Sequence, residues 1–119
     1  MASLEMLGPH SLSATEIDTH VTKKSIGNYA LGYVREDGAF IVQYVGRSDI
    51  DLNARLKQHA TVGKYTMFKY SYAKSKRAAF EKECQNFHDF GGTENLGNDI
   101  HPDRPAGSEW KCPYCSNFD

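Results

Sequence analysis

Hydrophobic and polar positions between residues 26 and 73 alternate in a way that predicts three β-strands. The runs IGNYALGYV (26–34) and AFIVQYVG (39–46) are rich in aromatic and β-branched residues, and the turn cluster REDG (35–38) separates them. This pattern is typical of a β-hairpin. The run YTMFKYSYA (65–73) also alternates, and we expect it to add a third strand to the hairpin.

Two further segments have the spacing of amphipathic helices. The first helix is expected to begin near Asp49 or Asp51, either of which can cap it, and to reach residue 59 or 60 before Gly63. The second is expected to begin after Ser75, to continue through KRAAFEKECQNFHDF, and to stop at the Gly-Gly pair that follows.

The predicted order β-β-α-β-α indicates an α+β fold, an α/β sandwich in which a small three-stranded antiparallel sheet is flanked by helices. Residues 1–20 show no sustained period, and we expect a flexible N-terminal arm there. The segment after the second helix is rich in Pro, Gly and Asn, which indicates an irregular C-terminal tail. Residues 21–119 would then form a single domain.

The composition fits a domain of this size, since 39% of the 119 residues are hydrophobic. The first twenty residues lack a basic start followed by an apolar stretch, and no run approaches about eighteen consecutive apolar residues. We therefore expect a soluble, cytoplasmic protein with no membrane partner.

The net charge of −1 conceals an uneven distribution of charge along the chain. Residues 52–82 carry eight Lys or Arg and one acid, Glu81, whereas residues 83–119 carry seven acids and two bases. Two solvated faces would produce this pattern. A basic segment around a single carboxylate also suits a phosphate-rich ligand together with a metal ion.

On the first helix, residues 52, 55, 56 and 59 lie along one stripe, because residues three, four and seven apart share a helix face. The two leucines of this stripe are expected to face the sheet. Arg55 and His59 then point toward the edge of the same packed surface, near the strand that carries Tyr44. Arg55 either extends its head into solvent or is held so that its guanidinium meets a phosphate.

On the second helix, residues 80, 84 and 87 define the buried stripe, and Glu81 lies one step off it at a boundary position. Glu81 is therefore either a solvated side chain or a ligand. Lys76 and Arg77 stand at the positive end of this helix and oppose its dipole. A bound anion nearby would reverse that small cost.

Two short signatures and three single positions follow one another in a fixed order. They are Gly27-Asn28-Tyr29, Tyr44-Val45-Gly46, Arg55, Glu81, and Asn98 or Asn95. In this order they resemble the GIY-YIG nuclease superfamily over about residues 26–100, with Asn28 where the family has Ile. Tyr33 shares a strand face with Tyr29 and is an alternative first tyrosine, and Tyr29 is preferred because its Gly-x-Tyr spelling is complete.

The resemblance implies a metal-dependent endonuclease that hydrolyses phosphodiester bonds in DNA with one divalent ion, Mg²⁺ or Mn²⁺. A tyrosine (Tyr29, Tyr33 or Tyr44) would be the general base, Arg55 would hold the phosphate, and Glu81 would hold the metal ion. Free tyrosine has a pKa near 10, so such a base needs cationic neighbours. The neighbours available are Arg47, Arg55 and His59, and the further substrate contacts implied are Gly46, Arg47, Lys76, Arg77 and Asn98.

Three cysteines in a chain without a secretion signal favour a metal site over a disulfide framework. Cys112 and Cys115 form a C-x-x-C pair, which is half of a zinc ligand set. Cys84 and His88, four residues apart on one helix face, would complete a structural Zn²⁺ site, with His101 as the substitute fourth ligand. Alternatively, Cys84 is a core thiol and His88 a solvated histidine at a helix end.

Two functions therefore stay open at this stage. The first is the endonuclease, with DNA as its partner and with a protein partner supplying specificity if the domain has none of its own. The second is a non-catalytic module that keeps the same fold and its zinc-braced tail (84–115) and binds nucleic acid or protein without cutting.

Overall fold

The computed structural model describes residues 4–118, and that part of the chain contains a four-stranded antiparallel sheet with four helices. The strands are β1 (Leu7–Ser11), β2 (Gly27–Val34), β3 (Phe40–Ser48) and β4 (Met67–Tyr72). The helices are α1 (Ala14–His20), α2 (Leu52–Val62), α3 (Lys76–Asp89) and α4 (Gly92–Asn95). The predicted α+β class is therefore confirmed.

The sheet has the strand order β1-β4-β2-β3, and every neighbouring pair is antiparallel. β2 and β3 form the predicted hairpin, in which Tyr29 lies opposite Gly46 and Leu31 opposite Tyr44. β4 pairs with the other side of β2, as expected for the third predicted strand. β3 is consequently an edge strand, and the candidate residues that it carries lie at a border of the sheet.

The prediction of three strands with a flexible N-terminal arm is wrong for residues 7–20, which contain β1 and α1. Residues 1–3 of the predicted arm lie outside the described residues. β1 is a short edge strand with no fully buried residue, so no hydrophobic alternation marks it. α1 begins after Ser13, whose hydroxyl accepts the N–H of Glu16, and it buries only Ile17. With one buried residue in two turns, α1 has no amphipathic pattern that the sequence could reveal. The complete order of elements is β-α-β-β-α-β-α-α.

Helices cover both faces of the sheet. The core under α1 and α2 contains Ile17, Val21, Tyr29, Leu31, Leu52, Leu56, Phe68 and Tyr70. A second core under α3 includes Ala30, Val45 and Phe87. Because successive strand residues point to opposite faces, Tyr29 faces the first core and Ala30 the second. The predicted leucine stripe of the first helix therefore does face the sheet.

The helix boundaries follow the signals in the sequence. Of the two candidate caps for α2, Asp51 is the one whose carboxylate accepts the N–H of Ala54 (3.2 Å), and α2 ends at Gly63 with φ of 74°. α3 is capped by Ser75, whose hydroxyl accepts the N–H of Ala78 (3.0 Å). Each such cap stabilises a helix by about 1 kcal/mol.

Residues 96–118 contain no helix or strand, as predicted for the tail. The tail folds back on α3, where Cys112, Trp110 and Phe118 pack with Phe80 and Cys84. Part of the stripe that the sequence assigns to the core is thus covered by the tail instead of the sheet. Among the described residues, no helix combines the length and the hydropathy needed to cross a bilayer.

Candidate active site and metal centre

Side chains from β2, β3 and α2 meet at the border of the sheet in what we call the tyrosine cluster (Tyr29, Tyr44, Arg55 and His59). The Tyr29 hydroxyl lies 2.8 Å from Nε2 of His59 and 3.4 Å from Nε of Arg55. The Tyr44 ring centroid lies 5.3 Å from that of His59 and 6.4 Å from that of Tyr29. The structure thus brings together four of the residues that the sequence selects.

The glycine of the second signature makes room for the tyrosine of the first. Gly46 lies opposite Tyr29 in the hairpin, and a Cβ at position 46 would stand 2.3 Å from the Tyr29 hydroxyl oxygen. A side chain there would therefore displace the Tyr29 ring. Gly46, which the resemblance implies as a substrate contact, has a packing role in this arrangement.

The direction of the hydrogen bonds in the cluster follows from what each group can donate. Arg55 carries only donors, so its Nε–H donates to the Tyr29 oxygen. The Tyr29 hydroxyl can then donate to Nε2 of His59, which accepts only when the imidazole is neutral. Burial, with the charge of Arg55, lowers the pKa of His59 below its ordinary value of 6.5, which favours the neutral ring.

The two tyrosines are not prepared as phenolates. Burial raises the pKa of Tyr29, and the hydrogen bond from Arg55 opposes that shift only in part. Burial also raises the pKa of Tyr44. A tyrosine base would need cationic neighbours that lower its pKa. Here the cost of removing a phenolate from water outweighs the attraction of one guanidinium.

The resemblance implies Glu81 as the metal-binding carboxylate, whereas Glu83 is the glutamate of α3 that is buried. Glu83 is 8% exposed. Burial is the main cause of the raised pKa values of Tyr29 and Tyr44, and the charge of Glu83 makes a smaller contribution in the same direction. The Glu81 side chain is 37% exposed and pairs with the arginine one helical turn earlier (3.4 Å). Glu83 is therefore the α3 carboxylate that is buried beside β3, where it contacts Arg47.

Helical spacing explains how Glu83 is buried although it lies outside the predicted stripe. α3 buries two adjacent stripes, one formed by residues 80, 84 and 87 and the other by residues 79, 83 and 86. The second stripe contains Glu83 and Asn86, so it does not register as apolar. Residues 79, 83 and 86 are four and three positions apart, so they share one helix face. Because this face begins with the apolar Ala79, the spacing could have indicated that Glu83 is buried.

Arg47 is held by two carboxylates on the α3 side of the sheet. Its Nε lies 2.9 Å from Asp49 and its Nη1 lies 2.5 Å from Glu83. The guanidinium also lies over the Phe80 ring, 5.4 Å from the centroid. Burial raises the pKa of Glu83 to about 7 although Arg47 acts in the opposite direction. Arg47, predicted as a cationic neighbour of the tyrosines and a phosphate contact, is thus engaged by acids.

Asn98 clamps the edge strand that carries the second signature. Its Oδ1 accepts the N–H of Val45 (3.0 Å), and its Nδ2 donates to the carbonyl of Val45 (2.8 Å). The preceding Gly97 N–H donates to the carbonyl of Gln43 (2.5 Å). Both the oxygen and the nitrogen of the buried Asn98 amide therefore bond to β3, which gives Asn98 the position of a structural clamp. The alternative, Asn95, lies on the exposed side of α4.

The other predicted phosphate contacts lie on the surface of α3 and do not join the tyrosine cluster. Lys76 is exposed at the first position of α3, and Arg77 pairs with Glu81. Part of the basic segment is engaged elsewhere, since Lys57 forms an ion pair with an aspartate of α1 (2.6 Å). Tyr33, the alternative first tyrosine, is 41% exposed at the other end of β2.

A second group of side chains joins the end of α3 to the tail. The ligand atoms of His88, His101, Cys112 and Cys115 all lie within 4.8 Å of one another. Nδ1 of His101 donates to the carbonyl of Pro102 (2.8 Å), which leaves its Nε2 as an acceptor 3.3 Å from Nε2 of His88. Two imidazoles and two thiols at this spacing form a donor set that can hold a metal ion.

His101 is the fourth member of this group, in the place for which the sequence analysis prefers Cys84. Cys84 is fully buried, packs with Phe80 and Cys112, and is not part of the four-residue group. Burial raises the pKa of the Cys84 thiol, which disfavours the thiolate that a metal ion requires. The structure therefore assembles the ligand set in which His101 is the fourth ligand. Cys84 is a core thiol, as the alternative interpretation of the sequence has it.

Comparison of the chain with family models, with curated proteins and with solved structures finds no match.

Proposed function

We propose that the chain is a metal-dependent endonuclease that hydrolyses phosphodiester bonds in DNA at the β3 border of the sheet. The observation that carries this proposal is the hydrogen-bonded arrangement of Tyr29 between Arg55 and His59. A buried tyrosine held between a guanidinium and a neutral imidazole has more polar partners than packing requires. Such a group can move a proton and hold an anion within one small space.

The proton-accepting role is supported by His59. As water attacks the phosphorus, the bond from phosphorus to the leaving oxygen breaks, and that oxygen departs with the electron pair and takes a proton from solvent. One proton of the attacking water passes to the Tyr29 oxygen while the Tyr29 proton passes to Nε2 of His59. This transfer never requires a free phenolate, so the raised pKa of Tyr29 does not prevent it. Tyrosine remains the immediate base, and the imidazole holds the proton at the end of the step.

The phosphate-holding role is supported by Arg55. Its Nε donates to Tyr29 and its Nη1 donates to Gln58 (3.0 Å). A guanidinium carries five N–H donors in a planar fork, so donors remain for phosphate oxygens. The two protein contacts fix the plane of the fork, which reduces the entropy lost when a phosphate binds.

The carboxylate suited to the catalytic ion is Glu83. A carboxylate oxygen is the ligand type that Mg²⁺ and Mn²⁺ prefer, and Glu83 is the α3 carboxylate that is buried beside Arg47 of β3, the strand that also carries Tyr44. When bound there, the ion would stabilise negative charge on the phosphate and on the departing oxygen. With one protein carboxylate the ion would retain several waters.

The group of His88, His101, Cys112 and Cys115 supports a structural Zn²⁺ ion. Zn²⁺ binds two thiolates and two imidazoles in a tetrahedral arrangement, and four protein ligands leave no open position for substrate. The ion would tie the tail to α3, the helix that also carries Glu83. We therefore infer that the zinc braces the site and does not take part in the reaction.

The second candidate is a module that binds nucleic acid or protein without cutting it. One observation favours it: Arg47 occupies Glu83, the carboxylate that the catalytic ion would need. A chain that has lost the reaction would have no use for an accessible carboxylate there. DNA is the expected partner of the endonuclease, with a partner protein as the source of specificity, whereas the module would bind nucleic acid or protein.

The deciding experiment compares cleavage of supercoiled plasmid, with Mg²⁺ or Mn²⁺ present, by wild type, Glu83→Gln and Glu81→Gln. The two variants remove the same charge two residues apart on one helix, so each controls for the other. We expect Glu83→Gln to lower the cleavage rate about 100-fold or more and Glu81→Gln to keep it within about threefold. Zinc content and circular dichroism of each preparation verify that the variants are folded.

The endonuclease proposal fails if well-folded, zinc-loaded wild type does not cut with either ion. Retardation of the same DNA by that protein would then support the non-catalytic module. If Glu81→Gln abolishes cleavage and Glu83→Gln does not, the endonuclease proposal stands, and Glu81 replaces Glu83 as the proposed metal-binding carboxylate.

A further inference from the structure

The Arg47 guanidinium already occupies the carboxylate that the proposed ion would use. Nη1 of Arg47 lies 2.5 Å from Oε1 of Glu83, and the two side chains are 11% and 10% exposed. Solvent screens an ion pair at this depth only weakly. A divalent ion that binds Glu83 must therefore first separate it from Arg47.

Asp49 provides Arg47 with a second partner. Nε and Nη2 of Arg47 lie 2.9 Å and 3.4 Å from the two oxygens of Asp49. The two residues are separated by a single residue of the chain, so their contact can persist when the guanidinium moves away from α3. A buried guanidinium with no partner would be strongly destabilising, and Asp49 removes most of that cost.

We propose that Arg47 competes with the divalent ion for Glu83 and thereby sets the metal affinity of the site, while Asp49 holds the displaced guanidinium. The inference rests on the proposed function, because it takes Glu83 as the metal ligand. In the exchange one ion pair separates and one carboxylate–metal contact forms, and no covalent bond changes.

The balance of charge favours such an exchange. One guanidinium faces two carboxylates, so the pocket holds a single cationic group for two acidic side chains. A divalent ion supplies the missing charge. Arg47 then neutralises Asp49, and the ion neutralises Glu83.

The test measures Mn²⁺ affinity by electron paramagnetic resonance with zinc-loaded protein, at one pH and ionic strength and without DNA. Zinc loading keeps Mn²⁺ away from the cysteine-containing group. The variants are Arg47→Gln, Asp49→Asn and the double variant, with Glu83→Gln to identify the site. Arg77→Gln is the matched control. It also removes an arginine that pairs with a glutamate of α3, but that glutamate is Glu81.

We expect Arg47→Gln to bind Mn²⁺ about fivefold or more tightly than wild type, because the competing cation is gone. Asp49→Asn should bind about fivefold more weakly, because Arg47 then has Glu83 as its one remaining acid partner. In the Arg47→Gln background the Asp49 substitution should have no effect. Arg77→Gln should match wild type.

Weaker or unchanged Mn²⁺ binding by folded Arg47→Gln overturns the inference and makes Arg47 a residue that positions Glu83. An equal loss on Asp49→Asn in both backgrounds also overturns it, because Asp49 would then be a direct metal ligand. Mn²⁺ binding that is unaffected by Glu83→Gln overturns this inference and the carboxylate role in the proposed function together. The first two outcomes leave the proposed function intact, so the two failures are distinguishable.

Discussion

The Tyr29 hydroxyl lies 2.8 Å from Nε2 of His59, and Tyr29 itself is 1% exposed. The tyrosine of the first signature is thus hydrogen-bonded to an imidazole. Because burial raises the pKa of Tyr29 and lowers that of His59, the shared proton resides on the tyrosine oxygen. The pair is a neutral acceptor, which suits proton uptake near neutral pH.

The lowered pKa of His59 predicts how stability depends on pH. The unfolded chain has a histidine pKa of about 6.5, so below that value it takes up a proton at position 59 more readily than the folded chain does. The contribution of His59 to stability is therefore complete above about pH 6.5 and is lost as the pH falls. We expect the Tm of wild type to decrease more between pH 7 and pH 5 than the Tm of His59→Gln.

Thermal melts followed by circular dichroism provide this comparison, and the four other histidines cancel between the two proteins. A nuclear magnetic resonance titration of the His59 ring gives a direct control. A midpoint at or above 6.5 would contradict the neutral imidazole and, with it, the proton transfer through Tyr29.

Gly46→Ala is predicted to destabilise the fold by about 1–3 kcal/mol, the range for adding a carbon to a packed core. The new Cβ would stand 2.3 Å from the Tyr29 hydroxyl oxygen. Urea unfolding measures the change in the free energy of unfolding. The same substitution in a Tyr29→Leu background provides the control, because a shorter side chain leaves room at that point. An equal penalty in both backgrounds would show that strain in β3, and not contact with Tyr29, is the cause.

Metal removal is predicted to release the tail while the sheet stays folded. Without the proposed ion, the group of His88, His101, Cys112 and Cys115 would lose the metal–ligand bonds that connect the tail to α3. We expect a chelator to lower the Tm and to make the tail the first region cut by a protease. Emission of the lone Trp110, which packs at this interface, reports the same change.

The choice between His101 and Cys84 as the fourth ligand is tested by a matched pair of variants. We expect His101→Ala to lower bound zinc well below one ion per chain and Cys84→Ala to keep one ion. Metal analysis after gel filtration gives the stoichiometry. Loss of zinc from Cys84→Ala with full retention in His101→Ala would restore the ligand set of the first prediction.

Local pattern was sufficient for the elements that bury one clear face. The hairpin, α2 with its Asp51 cap, and α3 with its Ser75 cap all lie where alternation and capping residues predict them. Tyr29, Tyr44, Arg55 and His59 also meet as expected, because helix and strand spacing brings such residues together once α2 packs on the hairpin.

The rest depended on packing between distant segments. β1 is defined by its pairing with β4 and not by its own pattern. Glu83 is hidden in a second buried stripe of α3, and its partner Arg47 lies on β3. His101 enters the metal group only because the loop before it folds back onto α3. None of these contacts between distant residues produces a repeating hydrophobic pattern in the sequence.

Asn98→Ala is predicted to loosen the strand that carries Tyr44. The substitution removes both hydrogen bonds to Val45, and the loss of two such bonds in a buried place costs about 1–3 kcal/mol. We expect faster hydrogen exchange at the Val45 amide and a lower Tm, with the zinc content unchanged. Asn95→Ala, which removes an exposed amide three residues earlier, is the control and should leave both measurements as in wild type. Unchanged exchange at Val45 in Asn98→Ala would mean that neighbouring contacts, such as the Gly97 to Gln43 hydrogen bond, hold β3 without the clamp.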